Sequence, residues 1–198
     1  MVHDIHSPAL GPSTWVLRFA PLIGAGGTVL DYACGGGRHA RWLARRGLVV
    51  EAVDRDAEAL ARLAGEPRVT PHLADLESGP WPFAEGGFDA IVVTNYLYRP
   101  RFEAMLACLR PGGVLIYETF MIGNERFGRP ANPEFLLQPG ELLERLGNAF
   151  SIVAFEQGEV QCPRAAVVQR VCAIKAVGTV VDLPPNDLSG GGDGGGQR

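Results

Sequence analysis

Three aspartates spaced about twenty residues apart, Asp31, Asp54 and Asp75, carry the first chemical signal in this sequence. Each ends or closely follows a short apolar run: Val29-Leu30, then Leu48 to Val53, then Val69 to Leu73. Carboxylates so placed accept hydrogen bonds from the hydroxyls, amines or ammonium group of a bound molecule. Between the first two acids lies Gly35-Gly36-Gly37, inside T-V-L-D-Y-A-C-G-G-G-R-H-A, which reads as a strand, a tight loop and a helix. The glycines let the chain turn sharply and let a ligand approach the main chain. The stretch from Thr28 to Ala40 is therefore expected to seat a ligand.

The surrounding pattern supplies the elements that would position these groups. Ala40, Leu43, Ala44 and Gly47 share one helix face, and Arg41, Arg45 and Arg46 fall toward the helix C-terminus, where cations suit the dipole. A helix capped by Asp56 is expected to run to Ala64, followed by a third strand over Val69 to Leu73. Asp89 to Thr94 reads as a fourth strand, a helix opens at Pro100 and stops at Arg110-Pro111-Gly112-Gly113, and Val114 to Phe120 is a fifth strand. A short helix over Glu141 to Gly147 precedes strands at Phe150 to Glu156 and Ala165 to Val177, whose short connection demands antiparallel pairing. Alternating strands and helices predict a parallel α/β sheet covered on both faces. A leading helix is expected within residues 7–23, starting at Ser7-Pro8 and interrupted near Pro21, either capping a pocket or covering the sheet; His3 and His6 belong to a loose terminus.

Two cofactor classes use such a loop. Gly35-x-Gly37-x-x-Ala40 with Asp54 about 20 residues on fits the dinucleotide fingerprint, which keeps a nicotinamide-dependent oxidoreductase as the alternative. A pyrophosphate, however, disfavours a carboxylate at the loop entrance, whereas S-adenosylmethionine brings an ammonium that Asp31 would welcome. Asp54 would then take ribose hydroxyls, Asp75 the adenine amino group, and the backbone at Leu76 a ring nitrogen. Arg38, a cation at a helix N-terminus, would meet the cofactor carboxylate.

Through V-L-D-Y-A-C-G-G-G-R, A-V-D-R-D, A-D-L, F-D-A-I-V-V-T-N-Y-L and L-R-P-G-G-V-L-I-Y-E-T-F, the chain resembles the class I S-adenosylmethionine-dependent methyltransferases over residues 28–177. Among them it looks most like the small bacterial enzymes related to tellurite-resistance methyltransferases. The resemblance implies a Rossmann-like, doubly wound, seven-stranded sheet of order 3-2-1-4-5-7-6 with strand 7 antiparallel. It also implies a cofactor shell of Asp31, Ala33, Gly35, Gly37, Arg38, Asp54, Arg55, Asp75, Leu76 and Asn95. Ala33 replaces the first glycine of the family's loop, a mild departure if that residue keeps negative φ. A methyltransferase domain over residues 1–177 is expected, with residues 1–27 as its leading helical segment, and residues 178–198, rich in glycine and proline, as a disordered tail.

Methyl transfer from a sulfonium needs alignment and, for a protonated nucleophile, a base. Glu118, an isolated carboxylate at the end of the fifth strand, is the candidate base, or else a structural partner of the following loop. Tyr96 lines the methyl site or packs beneath the next helix; Arg99 holds an anionic group of the acceptor or stands in water. His39 is expected to pack or cap. Residues 121–139 lack a clean period and are expected to form a lid, with Asn124, Arg129 and Asn132 as polar contacts to the acceptor, or a rigid crossover. Trp81-Pro82-Phe83 packs beside the adenine pocket or forms a surface turn.

Composition narrows the partners. A net charge of −4 with pI near 5.6 gives no bulk attraction to nucleic acid or anionic membrane, and the absence of an N-P-P-Y motif weakens a nucleobase substrate. A small-molecule acceptor is expected, without nucleic acid, membrane or metal; a non-catalytic S-adenosylmethionine-binding protein stands as a further alternative, and the oligomeric state is left open. The four cysteines show no metal-ligand or disulfide-scaffold spacing, and no apolar run approaches the roughly 18 residues of a membrane span, so a cytoplasmic location is expected.

Overall fold

The computed structural model describes residues 11–185. Its centre is one seven-stranded sheet in the order β3-β2-β1-β4-β5-β7-β6. The strands are β1 (Thr28–Tyr32), β2 (Val49–Asp54), β3 (Val69–Leu73), β4 (Phe88–Thr94), β5 (Leu109–Phe120), β6 (Ser151–Val160) and β7 (Ala166–Ile174). β1 to β5 pair in parallel, while β7 runs antiparallel between β5 and β6, as the resemblance implied. The order differs from the 3-2-1-4-5-6 of dinucleotide-binding sheets, which contain no such inserted strand.

Alternation along the strands sends neighbouring side chains to opposite faces. Val29, Val50, Val92 and Ile116 meet α1 (Thr14–Phe19), α2 (Arg38–Arg45) and α3 (Ala57–Ala61) through Trp15, Phe19, Leu43 and Leu60. Leu30, Val53, Val93 and Tyr117 meet α4 (Phe102–Cys108) and α5 (Glu141–Leu146) through Phe102, Met105, Leu142 and Leu146. Pro71, which has no amide hydrogen for a ladder, is tolerated because β3 is an edge strand.

Several boundaries differ from expectation for local reasons. The leading helix begins at Thr14, because the Ser13 hydroxyl caps it by accepting the Trp15 amide; Ser7 to Leu10, His3 and His6 lie outside the described residues. The chain then tightens into a 3-10 turn, Ala20–Leu22, around Pro21. Asp56 caps α3 as expected, accepting the Glu58 and Ala59 amides, but the helix ends at Ala61. α4 stops at Cys108, because Leu109 already pairs with Phe88 in the sheet. Residues 178–185 form no helix or strand, and the rest of the expected tail lies outside the described residues. Among the described residues no helix is long and apolar enough to cross a membrane.

Candidate functional site

A pocket of about 1260 Å³ opens over the carboxyl ends of the parallel strands, where open α/β sheets receive ligands. It exceeds the roughly 300–1,000 Å³ usual for one small molecule, so it has room for two ligands side by side. One end is built by the loop after β1 (Ala33, Cys34, Gly36), by Asp54 and Arg55 at the end of β2, and by Ala74 to Glu77 after β3. Thr94 to Leu97 and Thr119-Phe120 form the floor. Phe127 to Asn132, Phe135 and Arg164 close the other end, and Gly11, Pro12, Arg38 and Trp42 complete the wall.

The glycine loop is drawn tight by its neighbours. The Cys34 amide donates to the Val53 carbonyl at 2.9 Å, and the Gly35 amide to Asp54 Oδ2 at 2.7 Å. This geometry holds Gly35 at φ +53° and Gly37 at φ +71°, values open to glycine. A Cβ on Gly37 would also collide with the Leu63 side chain. Gly35 and Gly37 therefore shape the turn, and Gly36 with Ala33 and Cys34 faces the pocket. Ala33 departs from expectation: at φ +54° it occupies the left-handed region, which costs a residue with a Cβ about 1–2 kcal/mol.

The three aspartates divide in role. Asp54 and Asp75 line the pocket, whereas Asp31 does not. Asp31 is buried under the loop, with Oδ2 accepting the Ala40 amide at 2.9 Å, and burial pushes its pKa up to about 7 against the pull of that hydrogen bond and of Arg38. It tethers the start of α2 to β1 and would reach an ammonium only through the loop. Asp54 holds the Gly35 and Asp56 amides and keeps lone pairs for ligand hydroxyls. Asp75 turns into its own loop, accepting the Ser78 hydroxyl and the Glu77 amide, which hold its pKa below the ordinary carboxylate value. Leu76 is buried at the wall, Arg55 stands exposed 3.8 Å from Glu77, and Arg38 Nη1 donates to the Gly11 carbonyl at 3.3 Å.

After β4, Asn95 lines the pocket at φ +56°, a conformation asparagine adopts more readily than most residues, and its amide donates to the Glu118 carbonyl. Tyr96 lies edge-on to Tyr32 at 5.5 Å, and its backbone carbonyl accepts the Tyr117 hydroxyl at 2.7 Å. Its own hydroxyl is buried without a hydrogen-bond partner among the described residues, and burial pushes its pKa up. An orphaned donor in a pocket wall is a place for a ligand acceptor atom. Trp81 and Phe83 pack at the edge of the core near Tyr32.

Two expected chemical residues are committed elsewhere. Glu118 is absent from the pocket wall: Oε1 accepts the Ser13 hydroxyl at 2.7 Å and Oε2 accepts Arg170 Nη1 at 3.0 Å. That pairing fastens α1 to the sheet and gives Glu118 the structural reading, with a partner in α1's cap and β7 rather than in the following loop. Arg99 is likewise outside the wall, bound through Nε and Nη2 to Glu141 at 2.7 Å each and donating to the Glu134 and Leu136 carbonyls. Burial opposes the charge on Glu141, but Arg99, the Gln138 amide and Arg145 outweigh it and hold its pKa at about 2. His39 is buried, with Nε2 accepting the Ser13 amide and Nδ1 facing Thr94; burial, aided by Arg38, pushes its pKa down to about 3.

The segment over residues 121–139 is pinned at its base and open at its tip. Ile122 and Leu137 exchange strand-like hydrogen bonds with their neighbours, and Leu136 and Leu137 are fully buried. Asn124 is an anchor there and makes no contact with the pocket: its amide donates to the Pro130 carbonyl and its oxygen accepts the Val167 amide. Arg129 and Asn132 do face the pocket, and Asn132 also caps the turn Pro133–Phe135. Sequence reasoning missed Arg164, Trp42 and the Gly11-Pro12 approach. For Arg164 a signal existed, because an antiparallel β7 must begin beside the carboxyl end of β5, bringing the β6–β7 turn to the pocket.

Residues 29–113 match the family described as "Methyltransferase domain". Uncharacterised methyltransferases of Mycobacterium tuberculosis and Mycobacterium bovis are 38% identical over 109 residues, covering 50% of this chain and 54% of theirs. The chain thus spans about half the length of these curated relatives. In architecture it is similar to TehB from Haemophilus influenzae, with TM-score 0.71 and 19% identity over 86% of this chain and 64% of that one. A putative S-adenosylmethionine-dependent methyltransferase of Listeria monocytogenes gives TM-score 0.63 and 16% identity over 82% and 98% of the two chains.

Proposed function

We propose that this chain, which has the fold of class I methyltransferases and matches a methyltransferase domain over residues 29–113, binds S-adenosylmethionine and methylates a small-molecule acceptor. The observation that carries the proposal is the pocket itself, with a loop of left-handed backbone, Asp54 and Asp75 at one end and Phe127 to Asn132, Phe135 and Arg164 at the other. Bound there, the cofactor supplies a methyl group on a positively charged sulfur, which an acceptor lone pair displaces while the carbon–sulfur electron pair stays on sulfur.

The chain's residues fit that guest. Asp54 would offer lone pairs to a ribose diol, the Leu76 backbone and the lone pairs Asp75 keeps beyond its own loop would meet an adenine edge, and Tyr96 Oη is a donor without a partner among the described residues. Asp31 acts through the loop it tethers. Cys34 does not compete as a nucleophile, since burial pushes its thiol pKa up and keeps it protonated.

On the acceptor side the residues position and exclude water. Glu118 is held by Ser13 and Arg170, and His39 is held neutral with Nε2 occupied, so neither takes a proton from an acceptor. Acceptor atoms that already present a free lone pair at neutral pH suit this wall best. The test is incubation with cofactor labelled in its methyl group and a panel of small thiols, amines, carboxylic acids and phenols. Label transferred to one chemical class supports the proposal; S-adenosylhomocysteine that binds but is never formed with any of them would refute catalysis.

A further inference from the structure

Resting on that methyl-transfer proposal, we infer that the acceptor is an organic anion with a flat apolar body, its charge met by Arg129 and Arg164 and its body by Phe127 and Phe135. The two arginines come from unconnected parts of the chain, the 121–139 segment and the β6–β7 turn, and converge on one pocket. Neither makes an ion pair or side-chain hydrogen bond among the described residues, whereas Arg41 and Arg55 at the same wall pair with Glu66 and Glu77. Arg45 and Arg62 also line the wall, from α2 and the end of α3, whereas Arg129 and Arg164, equally exposed, stand at the end that carries Phe120, Phe127 and Phe135.

Phe127 and Phe135 are 40% and 47% exposed, and both face the pocket. The Arg164 guanidinium lies 5.5 Å from the centre of the Phe120 ring, which shares the wall. The acids of the pocket, Asp54, Asp75 and Glu77, stand at the end of β2 or just after β3, so no carboxylate lines the end where Arg129 and Arg164 stand. In a chain of net charge −4, a cationic and aromatic chamber without a neutralising acid is a selective feature. Planar guanidinium groups read carboxylate or phosphate oxygens in pairs, and phenylalanine faces accept a flat ring or chain. An ammonium-bearing acceptor would be repelled at this end.

The test uses benzoate and phenyl phosphate against benzamide and benzylammonium, each titrated by NMR into the full chain saturated with S-adenosylhomocysteine, whose own binding is measured first by calorimetry. The anions should bind roughly ten-fold more tightly than benzamide, and benzylammonium weakest. Arg129→Gln and Arg164→Gln should each remove most of that preference while leaving S-adenosylhomocysteine affinity and melting temperature unchanged. Equal binding of benzoate and benzamide, binding of neither anion at millimolar concentration, or unchanged preference in both variants would overturn the inference. Failure of S-adenosylhomocysteine to bind would instead strike the methyltransferase proposal, and the anion preference is then read on the unliganded chain.

Discussion

Asp31 and His39 lie close in sequence at the β1–α2 junction and titrate in opposite senses, which makes the pH dependence of stability an informative probe of the junction. Asp31 has its pKa raised by burial to about 7 from 3.8, so its contribution to stability is complete below about pH 4 and is lost as pH rises toward 7. His39 has its pKa lowered by burial to about 3 from 6.5, so its contribution is complete above pH 6.5 and is lost as pH falls toward 3. Between about pH 4 and 6.5 each group contributes a slope of roughly 1.4 kcal/mol per pH unit, and the two slopes cancel. Asp31→Asn keeps an oxygen for the Ala40 amide and removes one slope. The variant should gain on the order of 1 kcal/mol, relative to wild type, for each unit from about pH 5 to 6. His39→Gln should lose a similar amount over the same interval. Urea unfolding of the three proteins at about pH 5 and pH 6 reads the difference, and other titrating groups drop out of the comparison. Parallel stability curves for wild type and Asp31→Asn would show that Asp31 is ionised and solvated, refuting its burial beneath the loop.

Three further outcomes follow from the geometry. Ala33→Gly relieves a left-handed Cβ at φ +54° but frees the unfolded chain, so thermal unfolding should show a net gain of up to about 1 kcal/mol; a clear loss would mean the Ala33 side chain packs usefully. Arg99→Met breaks the bidentate pair with Glu141 beneath the 121–139 segment, and should cost about 2 kcal/mol and raise the rate of limited proteolysis within that segment; unchanged cleavage would show that Arg99 does not pin it. Glu118→Gln weakens the bond to Arg170, so melting temperature should fall while S-adenosylhomocysteine affinity stays constant; a rise in melting temperature would mark Glu118 as a destabilising active-site group.

The legible features were those that depend on near neighbours in the chain. Apolar runs gave the strands, Asp56 announced its helix, and the short link after β6 required an antiparallel partner. Asp54 and Asp75 could be placed at the pocket because Asp54 ends β2 and Asp75 follows β3 by two residues. The fates of Glu118, Arg99 and Asn124 were not legible. Their partners, Ser13 and Arg170, Glu141, and Val167, arrive from 42 to 105 residues away. A polar residue after a strand looks the same in sequence whether it meets a ligand or a distant side chain. The φ of Ala33 was hidden for a related reason, being imposed by the pull of Val53 and Asp54 on the next two amides.

The central claim is that the pocket over β1 and β2 takes an adenosyl sulfur cofactor through Asp54. Calorimetric titration of S-adenosylhomocysteine and NADH into wild type and Asp54→Ala tests it most directly. S-adenosylhomocysteine should bind wild type with a single site, at least ten-fold more weakly to Asp54→Ala, and NADH should bind neither. NADH binding in place of S-adenosylhomocysteine, or equal S-adenosylhomocysteine affinity in the two proteins, would contradict it.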